Sequence, residues 1–332
     1  MQYSSEQNHG CRLLEYTHRG LTCLRLENER IWMVLIPDKG SDITEIGYKP
    51  KDINFLWKNA NIIETAKYIS TSSNPLGNNL DYYEGGWHEC FPGGGPYQDS
   101  GYEQGIHGEA ALLPWEFKII KDTPEEIGVE LKCKMVRTPF EIVKTICLDS
   151  DSCKIRFSEC LKNLSSEDLQ VMWGHHPVFG RPFLDEGCVI DIPAAHFHNS
   201  ESFPSSSNLA PGEKGDWPVH NSYNYAVIEP NEKKCSELLY LTGLSEGCIS
   251  IANPNLGLSF SIRFDKELFP YVWYWKVLHG LEGYPWYGRT YNIGLEFWTG
   301  YPGFDEAKTN GSIRTIKGSE IIETMFVVDI DC

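Results

Sequence analysis

Wherever a period can be read in this chain, apolar residues recur at every second position, and no run of about 12 residues or more carries the 3.6-residue period of an amphipathic helix. Ile127, Val129, Leu131, Cys133 and Met135 alternate with Gly128, Glu130, Lys132 and Lys134; Leu258, Phe260, Ile262 and Phe264 alternate with Ser259, Ser261, Arg263 and Asp265. Such segments make strands with one dry face and one wet face. Similar stretches cover residues 21–26, 31–36, 43–48, 140–148, 153–161, 237–242, 291–299 and 319–330, nearly all separated by Gly, Pro, Asn or Asp. The alternation of strands with helices that a doubly wound sheet needs is missing, so the expected fold is all-β, a large β-sandwich with few short helices. No composition break divides the chain. Residues 200–222, rich in Pro, Ser, Asn and Gly, read as a long surface loop inside one domain covering 1–332. The lack of a fixed internal repeat weighs against a propeller.

Charge narrows the partners. The chain has 46 Asp and Glu against 29 Lys and Arg, a net charge of −17, with no basic block anywhere. Its long-range field repels polyanions, which argues against nucleic acid and anionic membrane. Residues 1–12 are polar and the longest apolar run, residues 31–36, is far shorter than the roughly 20 residues that cross a bilayer. The 11 cysteines form no C-x-x-C pair and several sit in strand-like runs (Cys23, Cys133, Cys147, Cys248), the pattern of buried reduced thiols in a cytoplasmic protein. The sequons at Asn163 and Asn310 read as turns.

Polar and aromatic residues gather in four segments. Residues 85–96, GGWHECFPGGGP, allow close backbone approach at their glycines, but no Lys-Ser/Thr opens a helix after them, so they are not a phosphate cradle. Residues 105–110, GIHGEA, set His107 between two glycines with little crowding; the bland alternative is a solvated loop histidine. Residues 171–180, VMWGHHPVFG, place His175 and His176 at the end of an apolar strand, where adjacent side chains face opposite sides and at most one enters a shared cleft. Residues 291–299, YNIGLEFWT, interrupt an apolar strand with Glu296, on the same side as Asn292, Gly294 and Trp298. If that side faces a cleft, burial raises the Glu296 pKa and makes it a useful base; if it faces solvent, it is a surface carboxylate.

Seven aromatic residues from Tyr271 to Tyr287 lie within 17 positions, and Trp273 and Trp275 share a strand face while Trp286 follows a Gly-Tyr-Pro turn. They suit platforms beneath the C–H faces of a sugar ring. His196 and His198 share a strand face and are the nearest approach to a metal pair, but no third ligand stands at a recognisable spacing, so neither metal nor cofactor is expected.

In order and spacing these segments resemble the aldose 1-epimerase, or galactose mutarotase-like, family. Residues 34–43 look like its early strand and glycine turn, 85–96 like its Gly-Gly and Phe-Pro loop, His107-Gly108 like its His-Gly pair, His176-Pro177 like its second histidine motif, and Gly294-Leu295-Glu296 like its late catalytic strand. The resemblance implies large antiparallel sheets with the sugar on a concave face, and reversible opening of an aldose ring without a cofactor. Glu296 would remove the anomeric hydroxyl proton, His176 would protonate the ring oxygen, and His107 would help position the ring. Trp87, Glu109, His175, Arg181 and Trp275 complete the expected substrate contacts. Where the family usually continues its His-Gly pair with an aromatic residue and an Arg, Glu109 and Ala111 stand here, a departure that points away from galactose or glucose as the substrate. A hexose 6-phosphate, met by Arg181 or Arg289, is the weaker choice in so acidic a chain. The expected partner is a small-molecule sugar, with a homodimer possible. The alternatives are a non-catalytic carbohydrate-binding protein of the same fold and a metal-dependent, cupin-type sugar isomerase using His196 and His198.

Overall fold

In a computed structural model, which describes residues 9–59, 77–99, 101–206, 209–230 and 233–332, two large antiparallel sheets dominate. The first has 12 strands. Its centre runs in the order Asp42–Tyr48, Trp87–Cys90, Gly174–Gly180, Tyr291–Trp298, Tyr271–Leu278 and Cys235–Thr242. The second has eight strands, centred on Ile321–Asp331, Lys154–Asn163, Phe140–Asp149 and Glu126–Lys134. Side chains from the inner faces of both sheets form one contiguous core, with Leu24, Ile43, Trp87 and Phe297 meeting Ile127, Ile146, Phe157 and Phe326. The period-2 segments land where the sequence puts them: Phe140–Asp149 alternates buried and half-buried along its whole length, and Ile127, Val129, Leu131, Cys133 and Met135 all point into the core. All 11 cysteines are free thiols. Two short helices are described, Gly77–Leu80 and Phe304–Asn310, and no described helix is long and apolar enough to cross a membrane.

Two expectations change. Residues 200–222 are not simply a surface loop, because Ser200 and Trp217 are buried, Phe203 and Pro204 face a cavity, and Lys214–Asp216 adds a strand to the edge of the larger sheet. The histidine pair lies near the start of the strand Gly174–Gly180 rather than at the end of one. The polar N-terminal stretch 1–12 lies outside the described residues up to residue 8.

At the head of the strand Trp87–Cys90, Gly86 has φ +77, and a Cβ there would stand 2.3 Å from the carbonyl oxygen of Ile43. Both the left-handed backbone and the backbone contact exclude any larger residue without movement of the neighbouring strand. Gly86→Ala is expected to destabilise the protein by about 2 kcal/mol or more, read from the urea midpoint; a loss below about 0.5 kcal/mol would contradict the close approach.

Candidate active site

Strand register assembles the site. On the larger sheet His176 pairs directly with His88 across one neighbouring strand, and Trp273 pairs directly with Glu296 one strand further on. Between them His176 and Glu296 lie side by side, with Nε2 and Oε1 3.1 Å apart. Four adjacent strands thus carry His88, His176, Glu296 and Trp273 as one row across the sheet. Because successive residues of a strand face opposite sides, Glu89, His175, Phe297 and Val272 form the matching row on the inner face. The loop carrying His107 closes over the outer row: His107 Nδ1 lies 2.7 Å from His88 Nε2, and its ring is 4.7 Å from that of His176. His107 has φ +63, unusual for a non-glycine residue, and is pinned by its N–H donating to the Gly94 carbonyl and its own carbonyl accepting from Phe91 N–H. Gly108 beside it cannot change, since a Cβ would stand 2.1 Å from the Phe91 oxygen.

His176 and Glu296 of this row, together with His107, floor a cavity of about 1150 Å³ whose wall includes Tyr83, Trp273, Trp275, Trp286, Tyr240 and His198; His88 is not among its lining residues. The cross-strand pairs Trp273 with Glu296 and Trp275 with Gly294 put both indoles beside the carboxyl group. Glu201, Asp305 and Glu306 also line it, and none of the described lining residues is Lys or Arg. Two buried amide oxygens of the wall, Asn79 Oδ1 and Asn199 Oδ1, have no hydrogen-bond partner among the described residues. Such acceptors suit a ligand with many hydroxyl donors.

Burial governs the electrostatics. It pushes the Glu296 carboxyl up to about 8, against a smaller opposing pull from the Trp298 indole N–H, which donates to Oε2 at 3.0 Å. Burial holds His107 down to about 3, and burial reinforced by the other imidazoles holds His88 and His176 well below the ordinary histidine range. Burial thus favours a carboxylic acid beside a neutral imidazole over the expected carboxylate and imidazolium, with the pair's single proton drawn towards Glu296. Tyr83 keeps its phenol proton, its pKa raised well above normal by burial, and its hydroxyl lies 3.3 Å from His176 Nδ1.

Glu296, His176, His107 and Trp275 thus meet at one cavity, while four expected substrate contacts do not. His175 faces the core, stacked on Phe297 at 4.6 Å with Nε2 3.1 Å from Glu159 Oε2, because it alternates with His176. Trp87 is buried between Phe157 and Phe326 for the same reason. Glu109 turns away and accepts four hydrogen bonds from the Val136, Arg137 and Thr138 backbone and the Thr138 hydroxyl, anchoring the His107 loop. Arg181 lies half-exposed over the Tyr291 ring and beside Asp185. His196 pairs with Asp216 at the surface while His198 lines the cavity, and among the described residues neither belongs to a group of three or more side chains able to hold a metal. Among the described residues, the three-histidine group able to hold a metal is His88, His107 and His176. Sequence reasoning missed His88 and Tyr83; the alternation of Trp87 with His88 was the available signal for the first.

The fold is shared with solved structures at low identity. The Slr1438 protein of Synechocystis aligns over 99% of both chains at 18% identity with a TM-score of 0.68. A candidate aldose 1-epimerase from Klebsiella pneumoniae aligns over 97% of this chain and 87% of its own at 15% identity, TM-score 0.74. A galactose mutarotase-like protein from Clostridium acetobutylicum aligns over 97% of this chain and 99% of its own at 16% identity, TM-score 0.67. These matches establish the galactose mutarotase-like sandwich as the architecture and reach no further than the fold. No curated protein matches the sequence. Residues 18–329 match a family described as a domain of unknown function, DUF4432, and over that span, nearly the whole length, the chain belongs to the DUF4432 family.

Proposed function

We propose that the protein is a cofactor-free mutarotase that interconverts the anomers of a free, unphosphorylated sugar. What carries the reading is the 3.1 Å approach of Glu296 and His176 on the floor of an aromatic-walled cavity. Ring opening requires removal of the O1 proton as the C1=O1 bond forms, and delivery of a proton to the ring oxygen as the C1–O5 bond breaks. A carboxyl and an imidazole sharing one proton supply one acid and one base. With the proton passed from Glu296 to His176, the carboxylate takes the O1 proton and the imidazolium protonates O5. Rotation about C1–C2 and the reverse transfers close the other anomer and restore the pair. The unphosphorylated substrate is supported by the cavity wall, where among the described residues Arg181 and Arg289 are both absent from the lining and the carboxylates Glu201, Asp305 and Glu306 stand without a Lys or Arg.

The test is saturation-transfer NMR on equilibrated solutions of neutral aldoses and their 6-phosphates. Exchange between anomers above the buffer rate is expected for at least one neutral sugar, with the phosphates slower. A protein that binds sugars but gives only the buffer rate would instead be a carbohydrate-binding protein.

Two further results are expected. The rate should be level through neutral pH and fall above about pH 8, where the Glu296–His176 pair loses its single proton. Trp275, packed between Trp57 and Trp286, offers its ring to the cavity, so Trp275→Ala should weaken sugar binding roughly tenfold by titration calorimetry, the order expected from losing one aromatic platform.

A further inference from the structure

The proposed mutarotation employs Glu296 and His176 for proton transfer and His107 for positioning, which leaves His88 without a task. Yet His88 lies at the centre of the cluster. Its ring stacks on that of His176, with centroids 4.7 Å apart and planes 11° from parallel, and its Nε2 lies 2.7 Å from His107 Nδ1. One ring nitrogen from each of the three histidines falls within 4.8 Å of the other two, all three side chains being buried and two of them, His107 and His176, lining the cavity. Three imidazole nitrogens gathered this closely make a donor set that acid–base chemistry alone does not require.

We infer that His88, His107 and His176 bind one divalent transition-metal ion, of which Zn²⁺ is the test ion, and that a bound ion excludes the proton-transfer chemistry. Tetrahedral Zn²⁺ with bonds of about 2.0–2.1 Å places its nitrogen ligands about 3.3 Å apart. The close His88–His107 pair must open by a few tenths of an ångström, giving up its hydrogen bond, and the wider separations must close. Both changes require the His88 ring to turn out of its parallel stack on His176, so that the two rings aim at one point. Glu296, 3.1 Å from His176 Nε2, can supply a fourth ligand, or that position can remain open to the cavity. A set of three nitrogens with one oxygen favours Zn²⁺, Co²⁺ or Ni²⁺ over Mg²⁺ or Ca²⁺. The second histidine-containing group able to hold a metal, Glu89, Glu159 and His175, is already filled: the Lys144 ammonium lies 2.6 Å from Glu89 and 3.6 Å from Glu159. The exclusion of catalysis rests on the mutarotase reading, since a coordinated His176 cannot exchange its proton with Glu296. The binding itself does not.

The test begins with the chelator-stripped full chain titrated calorimetrically with Zn²⁺ alone at neutral pH. One ion per chain is expected, with affinity lowered about 100-fold or more in His88→Gln, whose amide still reaches His107, and unchanged in His196→Ala at the surface. X-ray absorption of the Zn²⁺-loaded wild-type chain counts imidazoles without relying on a variant to fold, and three are expected. One equivalent of Zn²⁺ should bring anomer exchange to the buffer rate, and a chelator should restore it. The proposal is overturned by absence of stoichiometric binding, by fewer than three imidazoles, by undiminished affinity in a folded His88→Gln, or by unchanged exchange in the Zn²⁺-loaded protein. Absence of exchange in the metal-free protein for every sugar would count against the mutarotase reading alone, because calorimetry and absorption still decide the metal site.

Discussion

Glu296→Gln is expected to lower kcat for anomer interconversion by about 10²–10⁴-fold, the usual worth of a positioned general acid or base. The amide occupies the volume of the carboxyl and still offers an oxygen to the Trp298 indole N–H, which donates to Glu296 at 3.0 Å, so the site should keep its shape. What disappears is a group able to release and recover a proton 3.1 Å from His176. The same variant tests the electrostatics independently of activity. Burial raises the Glu296 pKa from an ordinary 4.5 to about 8, so the folded protein holds a proton there that the unfolded chain releases. Its contribution to stability is therefore fully present below about pH 4.5 and is lost as pH rises to about 8. Glu296→Gln removes this dependence, and urea midpoints measured across that range should show the variant gaining on the wild type as pH rises. Sugar binding should survive. A variant that retains full exchange would sink the mutarotase reading, and one whose stability tracks the wild type at every pH would show that Glu296 is not held protonated by burial.

Strands with one wet face declared themselves in the sequence, and the strands of the active site did not. Residues 140–148 and 258–264 alternate because one of their sides meets water, whereas Gly174–Gly180 and Tyr291–Trp298 are buried along both faces, one against the core and the other against the cavity. With both sides covered, hydrophobicity no longer marks the pleat. Glu296 still stood out, because a lone carboxylate in an apolar strand needs a reason. His175 and His176 could be assigned to opposite faces but not to particular ones, since the choice depends on how Glu159 and Glu296 arrive from distant strands. His107 looked exposed on account of its glycine neighbours, but Gly108 lets the loop press against Phe91, and the imidazole is buried. His88 and Tyr83 became legible only once register set one beside His176 and the fold brought the other's hydroxyl to it. Glu109, Trp87 and Arg181 were chosen for chemistry near the motifs, and each is occupied by structural partners that no local pattern reveals.

Lys144→Met is expected to destabilise the protein by about 3–5 kcal/mol, the scale on which a buried ion network fails when one partner is removed. Lys144 arrives from the smaller sheet, fully enclosed, with its ammonium against Glu89 and Glu159 and over the Trp115 ring at 4.8 Å. Glu89 also accepts from the Trp173 indole N–H at 2.8 Å, and Glu159 meets His175. Met fills similar volume but leaves two buried carboxyl groups without their cation. Burial already raises Glu159 to about 7 even with Lys144 present, so without it the pair must take up protons or bear the full cost of desolvation. The loss should therefore be larger at alkaline than at neutral pH, because the folded protein must hold protons that the unfolded chain releases. The network also lies directly behind the row of His88, His176 and Glu296: Glu89 follows His88, and His175 precedes His176, on strands whose side chains alternate between the two faces of the sheet. Loosening it should lower kcat more than it weakens sugar binding. The decisive comparison is the triple variant Lys144→Met, Glu89→Gln, Glu159→Gln, which removes all three charges together. If the missing cation is the cause, the triple variant recovers much of the stability lost by Lys144→Met alone and loses its extra sensitivity to alkaline pH. Should Lys144→Met unfold within about 1 kcal/mol of the wild type, or the triple variant be weaker still by the sum of its parts, packing rather than charge would hold the two sheets together at this point.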